Sequence, residues 1–309
     1  MKNQEPTLAQ ALLNLSDAIE QLALILAKQK STDSKEGIKK LSVITRKFQH
    51  LKKELKPNKK VNSLIKQKHR KGYLRKYLAH RNIHTGNYLD SLLVDRKLFE
   101  AANYLADHYR HLEHFYKHLK RNQVLKKDLT HKSNSYNIKY IRKWSEILHK
   151  NKLIDGFESY NDNRMQVDIA EIHKATKFIN GYWLEVYLRS ELSQLFRQNL
   201  NRIKSFDILA QVEVQMPDKK TSELDLLIML NEKVYWFECK SGHIGSDYYK
   251  LFKKHRRYLG LPRSRSFLLV PDMNMHQAEA TDKKAGMTLL YATGLPLQLE
   301  QIFFKTDLR

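Results

Sequence analysis

The stretch at residues 223–240, ELDLLIMLNEKVYWFECK, decides how the rest of the chain is interpreted. Its apolar residues form two runs, Leu224–Leu230 and Val234–Cys239, separated by the polar tripeptide at 231–233. Two short apolar strands joined by such a linker predict an antiparallel β-hairpin. The hairpin is apolar along most of its length, so the few charged residues near its open end stand out.

Three charged side chains are expected at that open end. Asp225 begins the first strand, and Glu238 and Lys240 end the second. Because side chains alternate along a strand, Glu238 and Lys240 point to one face and Cys239 points to the other. Charged groups among apolar strands are costly unless they bind something. A divalent metal ion and a phosphate would satisfy two carboxylates and a lysine.

The composition narrows the class of protein. With 309 residues, the chain has room for two or three domains and a sizeable core. Its single cysteine, Cys239, excludes an internal disulfide framework and a cysteine zinc cluster, which fits a reducing cytosol. The longest aliphatic run near the N-terminus, Leu22–Ala27, is too short to span a bilayer, and no signal-peptide pattern opens the sequence. We therefore expect a cytoplasmic protein without a membrane partner.

The positive charge is concentrated in one segment. The chain carries a formal charge of +23, and residues 35–152, with 31 Lys and Arg against 9 Asp and Glu, account for +22 of it. Such a segment binds polyanions, most simply the phosphates of nucleic acid, with strong salt dependence. The alternative is a solvated helical surface, for which mixed charge would serve better.

Residues 1–56 are predicted to form a helical hairpin. Apolar residues recur at spacings of four and three in two rows: Leu8, Leu12, Leu15, Ile19, Leu22 and Leu26, then Leu41, Ile44, Phe48, Leu51 and Leu55. This spacing is typical of a heptad seam. The rows would pack within the chain or against a second copy in a homodimer, and the sequence leaves both options open.

Residues 57–123 are predicted to be a basic helical region that binds nucleic acid. No Asp or Glu occurs between Leu55 and Leu89, and basic residues, among them Lys71, Arg75 and Lys76, alternate with tyrosines. This pattern suits a surface that follows a phosphate backbone and stacks on bases, although the tyrosines also have a spacing suited to core packing. A long helix is expected to start at residues 87–90 and to end near Arg121.

Residues 124–172 have the outline of a winged helix. We expect a short helix at 125–130, a longer amphipathic helix ending near Asn151, and two strands at 156–160 and 164–169. Helices followed by a two-stranded wing are typical of units that place a helix in a DNA groove. The same outline also serves as a structural connector, and both interpretations stay open.

Residues 173–309 change character, with nearly balanced charge and strand-like apolar runs. The predicted elements are helix 174–199, strand 207–216, the hairpin, helix 246–259, strand 267–270, a short helix around 277–283, strand 287–292 and helix 296–304. This order predicts a mixed sheet with helices on both faces. The fold class expected for the whole chain is α+β.

Several motifs resemble a known nuclease superfamily. Glu185 in a helix, Asp225, and the triplet Glu238-x-Lys240 resemble the active-site signature of the PD-(D/E)xK nucleases, which have the restriction-endonuclease-like fold. The segments GYWLEVYL, ELDLLIML and FECKSG are similar to the nuclease domain of CARF-linked CRISPR ancillary nucleases, which act in antiviral defence. The resemblance covers about residues 135–305. The Lys-rich N-terminal third does not resemble the Rossmann-like CARF sensor domain.

The resemblance implies a metal-dependent site. It assigns Mg²⁺ or Mn²⁺ to Asp225 and Glu238, with the backbone carbonyl of Cys239 and the carboxylate of Glu185 as further ligands. Lys240 would orient the attacking water or neutralise charge on the reacting phosphate. Glu223 points to the same strand face as Asp225 and is a fallback ligand.

The resemblance also implies an activity. We expect a metal-dependent endonuclease that cleaves DNA in preference to RNA, with Lys254, Arg256 and Arg257 of the following helix holding the cleaved strand or forming a solvated face. Two alternatives stay open. One is a nucleic-acid-binding protein with an inactive nuclease fold, and the other is a factor that binds or cleaves RNA.

Overall fold

The computed structural model describes residues 59–122, 129–132, 135–160, 164–170, 173–242, 244–272, 281 and 284–304. The chain divides into two compact units, residues 1–64 and 65–309. Of the first unit only residues 59–64 are described, and they begin a helix. The helical hairpin and the homodimer predicted from residues 1–56 lie outside the described residues.

The described residues of the second unit form two sheets. In chain order, the strands are β1 (His84–Thr85), β2 (Leu129–Lys132), β3 (Ile154–Tyr160), β4 (Arg164–Ile169), β5 (Phe206–Gln215), β6 (Thr221–Leu230), β7 (Lys233–Cys239), β8 (Ser266–Val270) and β9 (Thr288–Tyr291). The larger sheet has the order β1-β5-β6-β7-β8-β9, antiparallel from β1 to β7 and parallel from β7 to β9.

Helices connect and cover these strands. They are α1 (Lys59–Lys68), α2 (Tyr73–Ala79), α3 (Arg96–Asp107), α4 (Tyr109–Asn122), α5 (Ser135–Lys150), α6 (His173–Lys177), α7 (Trp183–Gln198), α8 (Ser246–Tyr258) and α9 (Leu295–Phe303). A π-helical turn, Phe178–Tyr182, joins α6 to α7. Among the described residues, no helix has both the length and the apolar composition needed to cross a membrane.

The larger sheet is buried on both faces. Tyr235 and Phe237 of β7 pack into one core with α3, α4, α5, α7 and α9, whereas Val234 and Trp236 pack into a second core with α2 and α8. The alternation of side chains along β7 therefore places apolar residues in both cores, as in sheets covered on both sides. The predicted α+β class and the mixed sheet with helices on both faces are confirmed.

The hairpin that organises the sequence is present as β6 and β7. Leu230 pairs with Lys233, so the turn has two residues instead of the three expected. Asn231 and Glu232 adopt φ values of 49° and 68°. Two consecutive positive φ angles are typical of the primed turns that match the twist of paired strands. The other strands predicted within residues 173–309 agree with the structure to within two residues.

Residues 65–122 differ most from expectation. The all-helical prediction is wrong at β1, which pairs with β5 at the edge of the larger sheet. The long helix predicted from residues 87–90 begins only at Arg96, because Leu89 hydrogen-bonds to Ala210 of β5 and Asp95 caps the helix through the Lys97 amide at 2.8 Å. The helix also breaks at His108, where α3 ends and α4 begins.

The smaller sheet has the order β2-β4-β3 and follows the predicted winged-helix outline in part. Helix α5 precedes the β3–β4 hairpin, as expected, and the Trp144 indole anchors α5 by donating to the Ala101 carbonyl at 3.0 Å. The short helix predicted at residues 125–130 is wrong for Leu129 and Thr130, which pair with β4 as part of a strand. Contact of this unit with DNA stays a prediction.

Candidate active site

The proposed site lies where β6 and β7 separate. The last ladder pair of the hairpin joins Leu226 to Phe237, and beyond it β7 continues to pair with β8. The Asp225 carboxylate bridges the gap, because its Oδ2 accepts a 2.7 Å hydrogen bond from the Cys239 amide. The Glu238 side chain lies close enough for the charge of Asp225 to raise its pKa. The structure therefore brings together the two acids predicted to bind metal.

Both carboxyl groups are buried. Asp225 is 8% exposed and Glu238 is 4% exposed. Burial raises the pKa of each above its ordinary value, and the charge of Asp225 raises the pKa of Glu238 further. A cation placed between them would offset this cost by stabilising the charged form of both acids.

Glu185 joins the pair from helix α7. Burial raises the pKa of Glu185 to about 8, and the charges of Asp225 and Glu223 add to that rise. Its Oε2 accepts a hydrogen bond of 3.2 Å from the Gln211 side chain. Three of the residues predicted from the sequence thus form one cluster of interacting carboxyl groups, with Glu223 beside it.

Gln211 was missed by sequence reasoning. It lies in β5 between the pairs Ala210–Leu226 and Val212–Leu224, at the level of Asp225. Its φ of 48° is rare for a residue with a side chain. Strained backbone of this kind concentrates at functional sites. The available signal was a lone amide inside an otherwise apolar run of β5.

A close approach at Gly181 sets the position of Glu185. Gly181 has a φ of 138°, and a Cβ atom there would lie 2.6 Å from the Ser241 hydroxyl oxygen. Only glycine tolerates both conditions. The π-helical turn containing Gly181 interrupts the single helix predicted at 174–199, and it brings the start of α7 against the segment that follows β7.

Lys240 lies beside the acid pair. Its Nζ is 3.8 Å from Glu238 Oε2 and 5.4 Å from the centre of the Tyr248 ring. Burial alone lowers the pKa of Lys240, but Glu238 and Asp225 outweigh burial and raise it above its ordinary value. The ammonium group therefore keeps its charge at neutral pH.

A second lysine reaches the site from helix α4. Lys120 Nζ donates to Ser241 Oγ at 3.0 Å, and the Tyr116 hydroxyl donates to the same oxygen at 3.1 Å. Sequence reasoning missed this contact, because Lys120 is one of many lysines in the basic segment and no local pattern distinguishes it.

Two clefts open at the site. One, of about 730 Å³, is lined by Glu185, Glu223, Asp225 and Cys239. The other, of about 590 Å³, is lined by the basic residues Lys117, Lys120 and Arg121 of α4, and also by Glu113 and Asp272. Both clefts share three lining residues, Lys120, Lys240 and Gly242. The two lysines therefore mark the junction of the clefts.

The other basic residues singled out from the sequence lie elsewhere. The residues that line the two clefts do not include Lys71, Arg75, Lys76, Lys254, Arg256 or Arg257. Lys254 forms an ion pair with Asp218, and Lys71 forms one with Asp90 at 2.7 Å. Their contact with nucleic acid stays a prediction.

The donor chemistry of the site fits a hard divalent cation. Within the described residues, no group of three or more His, Cys, Asp or Glu side chains has the arrangement of a metal site. Asp225 and Glu238 nevertheless provide two adjoining buried carboxyl groups, and oxygen donors of this kind suit Mg²⁺ and Mn²⁺.

Comparisons with known proteins show a family match for part of the chain and a shared fold. Residues 172–286 match the family model described as "Card1-like, endonuclease domain". This match confirms, for that part of the chain, the resemblance to the nuclease domains of CRISPR-associated proteins. A comparison with curated proteins finds no match.

Two solved structures share the fold. VC1899 from Vibrio cholerae is 20% identical, with a TM-score of 0.51, over 74% of this chain and 60% of that protein. Can2 from Sulfobacillus thermosulfidooxidans, solved in complex with cyclic tetra-adenylate, is 18% identical, with a TM-score of 0.52, over 74% of this chain and 59% of Can2. The chain thus spans about 60% of the length of these proteins.

Proposed function

We propose that this protein is a metal-dependent nuclease that hydrolyses phosphodiester bonds in nucleic acid, with DNA preferred over RNA. The observation that carries the proposal is the burial of two neighbouring acids, Asp225 and Glu238, with Lys240 Nζ 3.8 Å from Glu238. The match to an endonuclease domain over residues 172–286 supports it.

The residues would divide the work as follows. Asp225 and Glu238 would hold Mg²⁺ or Mn²⁺, with Glu185 and the Cys239 carbonyl as further ligands. A bound ion of this kind polarises a phosphoryl oxygen and lowers the pKa of a bound water. The Cys239 amide fixes the Asp225 carboxylate, and the Gln211 side chain orients Glu185. Lys240 stays protonated and neutralises charge that develops on the phosphate.

The basic segment would supply the grip on the substrate. The excess charge of +22 lies in residues 35–152, and helix α4 of that segment lines one of the two clefts. Charge of this size binds phosphate backbones without regard to sequence. The preference for DNA rests on the winged-helix outline of α5, β3 and β4, which suits a duplex groove.

The test is a cleavage assay with labelled single- and double-stranded DNA and RNA, in Mg²⁺, Mn²⁺ and EDTA. We expect cleavage with either metal and none in EDTA. Asp225→Ala and Lys240→Ala should each abolish it while the proteins stay folded by circular dichroism. A variant that cleaves as fast as wild type would overturn this mechanism. Binding without cleavage under every condition would identify an inactive nuclease fold, and cleavage of RNA alone would reverse the preference.

A further inference from the structure

The junction of the two clefts contains two ammonium groups. Lys240 reaches it from the end of β7, and Lys120 reaches it from helix α4. Two glycines lie close to Lys120, since a Cβ atom at Gly242 would lie 3.5 Å from its Nζ and one at Gly181 would lie 3.9 Å away. Elements distant in the chain thus converge on this amine.

Lys120 has no acidic partner within the described part of the chain. Its Nζ donates to the Ser241 hydroxyl and lies 5.9 Å from the centre of the Tyr116 ring. An ammonium group carries three donors, so two are left over. Burial lowers the pKa of Lys120, and the charge of Lys240 lowers it further. Two cations that repel each other in a half-buried cleft would be stabilised by one anion between them.

The Ser241 hydroxyl is oriented so that it can donate a hydrogen bond. Its oxygen accepts hydrogen bonds from both Tyr116 and Lys120, which occupies its two lone pairs and leaves its own hydrogen for another acceptor. Burial raises the pKa of Tyr116 to about 12, so this hydroxyl keeps its proton and remains a donor at neutral pH. Tyr116 is fully buried, which fixes the arrangement.

We propose that Lys120 and the Ser241 hydroxyl bind the substrate phosphodiester next to Lys240, so that the nucleic-acid strand passes from one cleft to the other across the two lysines. This inference rests on the proposed nuclease function. It adds a substrate-binding residue from helix α4, outside the span that matches the endonuclease family. Three donors on one patch suit the oxygens of a single phosphate group.

The test compares Lys120→Met, which keeps length without charge, with Lys120→Arg, which keeps the charge. Lys233→Met is the matched control, because Lys233 is exposed at the opposite end of β7 and its loss changes net charge equally. Two quantities are measured: steady-state cleavage with Mn²⁺, and equilibrium binding of a labelled single-stranded DNA oligonucleotide in EDTA at several salt concentrations.

We expect Lys120→Met to lower kcat/KM by about 10- to 100-fold, as for the loss of a charge-assisted hydrogen bond. It should also reduce the slope of log Kd against log salt by about 0.7. Lys120→Arg should restore most of both quantities, and Lys233→Met should match wild type.

Equal cleavage and salt slope in Lys120→Met and Lys233→Met would overturn the proposal. An unchanged salt slope with no rescue by arginine would assign Lys120 a purely structural role and would overturn it as well. Failure of wild type to cleave any substrate would instead overturn the proposed function, and the salt slope would still decide whether Lys120 contacts a phosphate.

Discussion

The two ends of the β6–β7 hairpin bury carboxyl groups in opposite ways. At the closed end, Asp207 of β5 is 2% exposed, and its oxygens accept hydrogen bonds from the Leu74 and Ile208 amides, both at 2.9 Å, with His69 at 3.3 Å. At the open end, Asp225 and Glu238 are 8% and 4% exposed, and the charge of Asp225 raises the pKa of Glu238. Burial alone therefore does not mark a site. Among the described residues, the acids of the open end accept fewer hydrogen bonds than Asp207 does.

The largest expected effect comes from neutralising one acid at each end. Asp225→Asn should reduce cleavage by about 100- to 1,000-fold, as for the loss of a group that stabilises the transition state, and it should not lower the free energy of unfolding. Asp207→Asn should lower that free energy by about 1–3 kcal/mol, because it disturbs a satisfied buried acceptor, and should leave kcat intact. Urea unfolding measures the free energy of unfolding, and cleavage kinetics measure the activity of each variant. Lost stability in Asp225→Asn together with lost activity in Asp207→Asn would contradict this comparison of the two ends.

Metal binding should stabilise the folded protein through the acids of the open end and not through Asp207. Saturating Mn²⁺, at about 100 times its Kd, should raise the free energy of unfolding by about 2.7 kcal/mol in wild type and in Asp207→Asn. Asp225→Asn should show a much smaller rise, because it has lost a ligand. Thermal unfolding with and without Mn²⁺, reversed by EDTA, is the measurement. An equal shift in Asp225→Asn would remove Asp225 from the proposed ligands.

A further buried acid, Glu191, belongs to neither end and predicts a pH dependence. Burial, with the nearby charge of Asp107, raises the pKa of Glu191 in α7 to about 7. The folded state then binds more protons than the unfolded state between the ordinary glutamate pKa and 7, so this group makes stability fall as pH rises through that window.

Glu191→Gln should remove this fall in stability with rising pH, because glutamine does not titrate. We expect the variant to be more stable than wild type by about 1–3 kcal/mol above pH 7 and nearly equal to it near pH 4.5. Urea unfolding at both pH values checks the prediction, with cleavage activity as a control for the distant site. A difference independent of pH would contradict the raised pKa.

The smallest expected effect concerns Gln211. Gln211→Ala removes the 3.2 Å hydrogen bond to Glu185 without touching either proposed metal ligand of the hairpin. Cleavage should fall by only a few fold, about 1 kcal/mol, because Glu185 loses orientation but keeps its carboxyl group. Gln211→Glu, which keeps the side-chain length but adds a fourth acid, should be worse than alanine, and kcat measured for both variants ranks them.

Much of the sheet was predictable because its signals are local. Alternating apolar residues located β5, β6 and β7, and the structure confirms those strands and the antiparallel hairpin. The prediction was wrong where long-range pairing overrode local propensity. Residues 84–85 lie in a basic segment whose local pattern predicts helix. They extend the sheet instead, because they pair with the edge of β5.

The residues of the candidate site also differ in whether local sequence predicted them. Asp225, Glu238 and Lys240 were predictable, since they are close in sequence once a hairpin is assumed. Their nuclease roles stay a proposal.

The sequence by itself determined the hairpin, the placement of two acids and a lysine at its open end, and the concentration of positive charge in residues 35–152, because alternation and composition are properties of short stretches. The family resemblance already assigned Glu185 to the site. The tertiary structure alone decided that the turn at Gly181 lies against Ser241, and that Lys120 meets Ser241 across 121 positions of the chain. Such contacts come from helices packing onto a sheet, and packing partners are not encoded in the spacing of neighbouring residues.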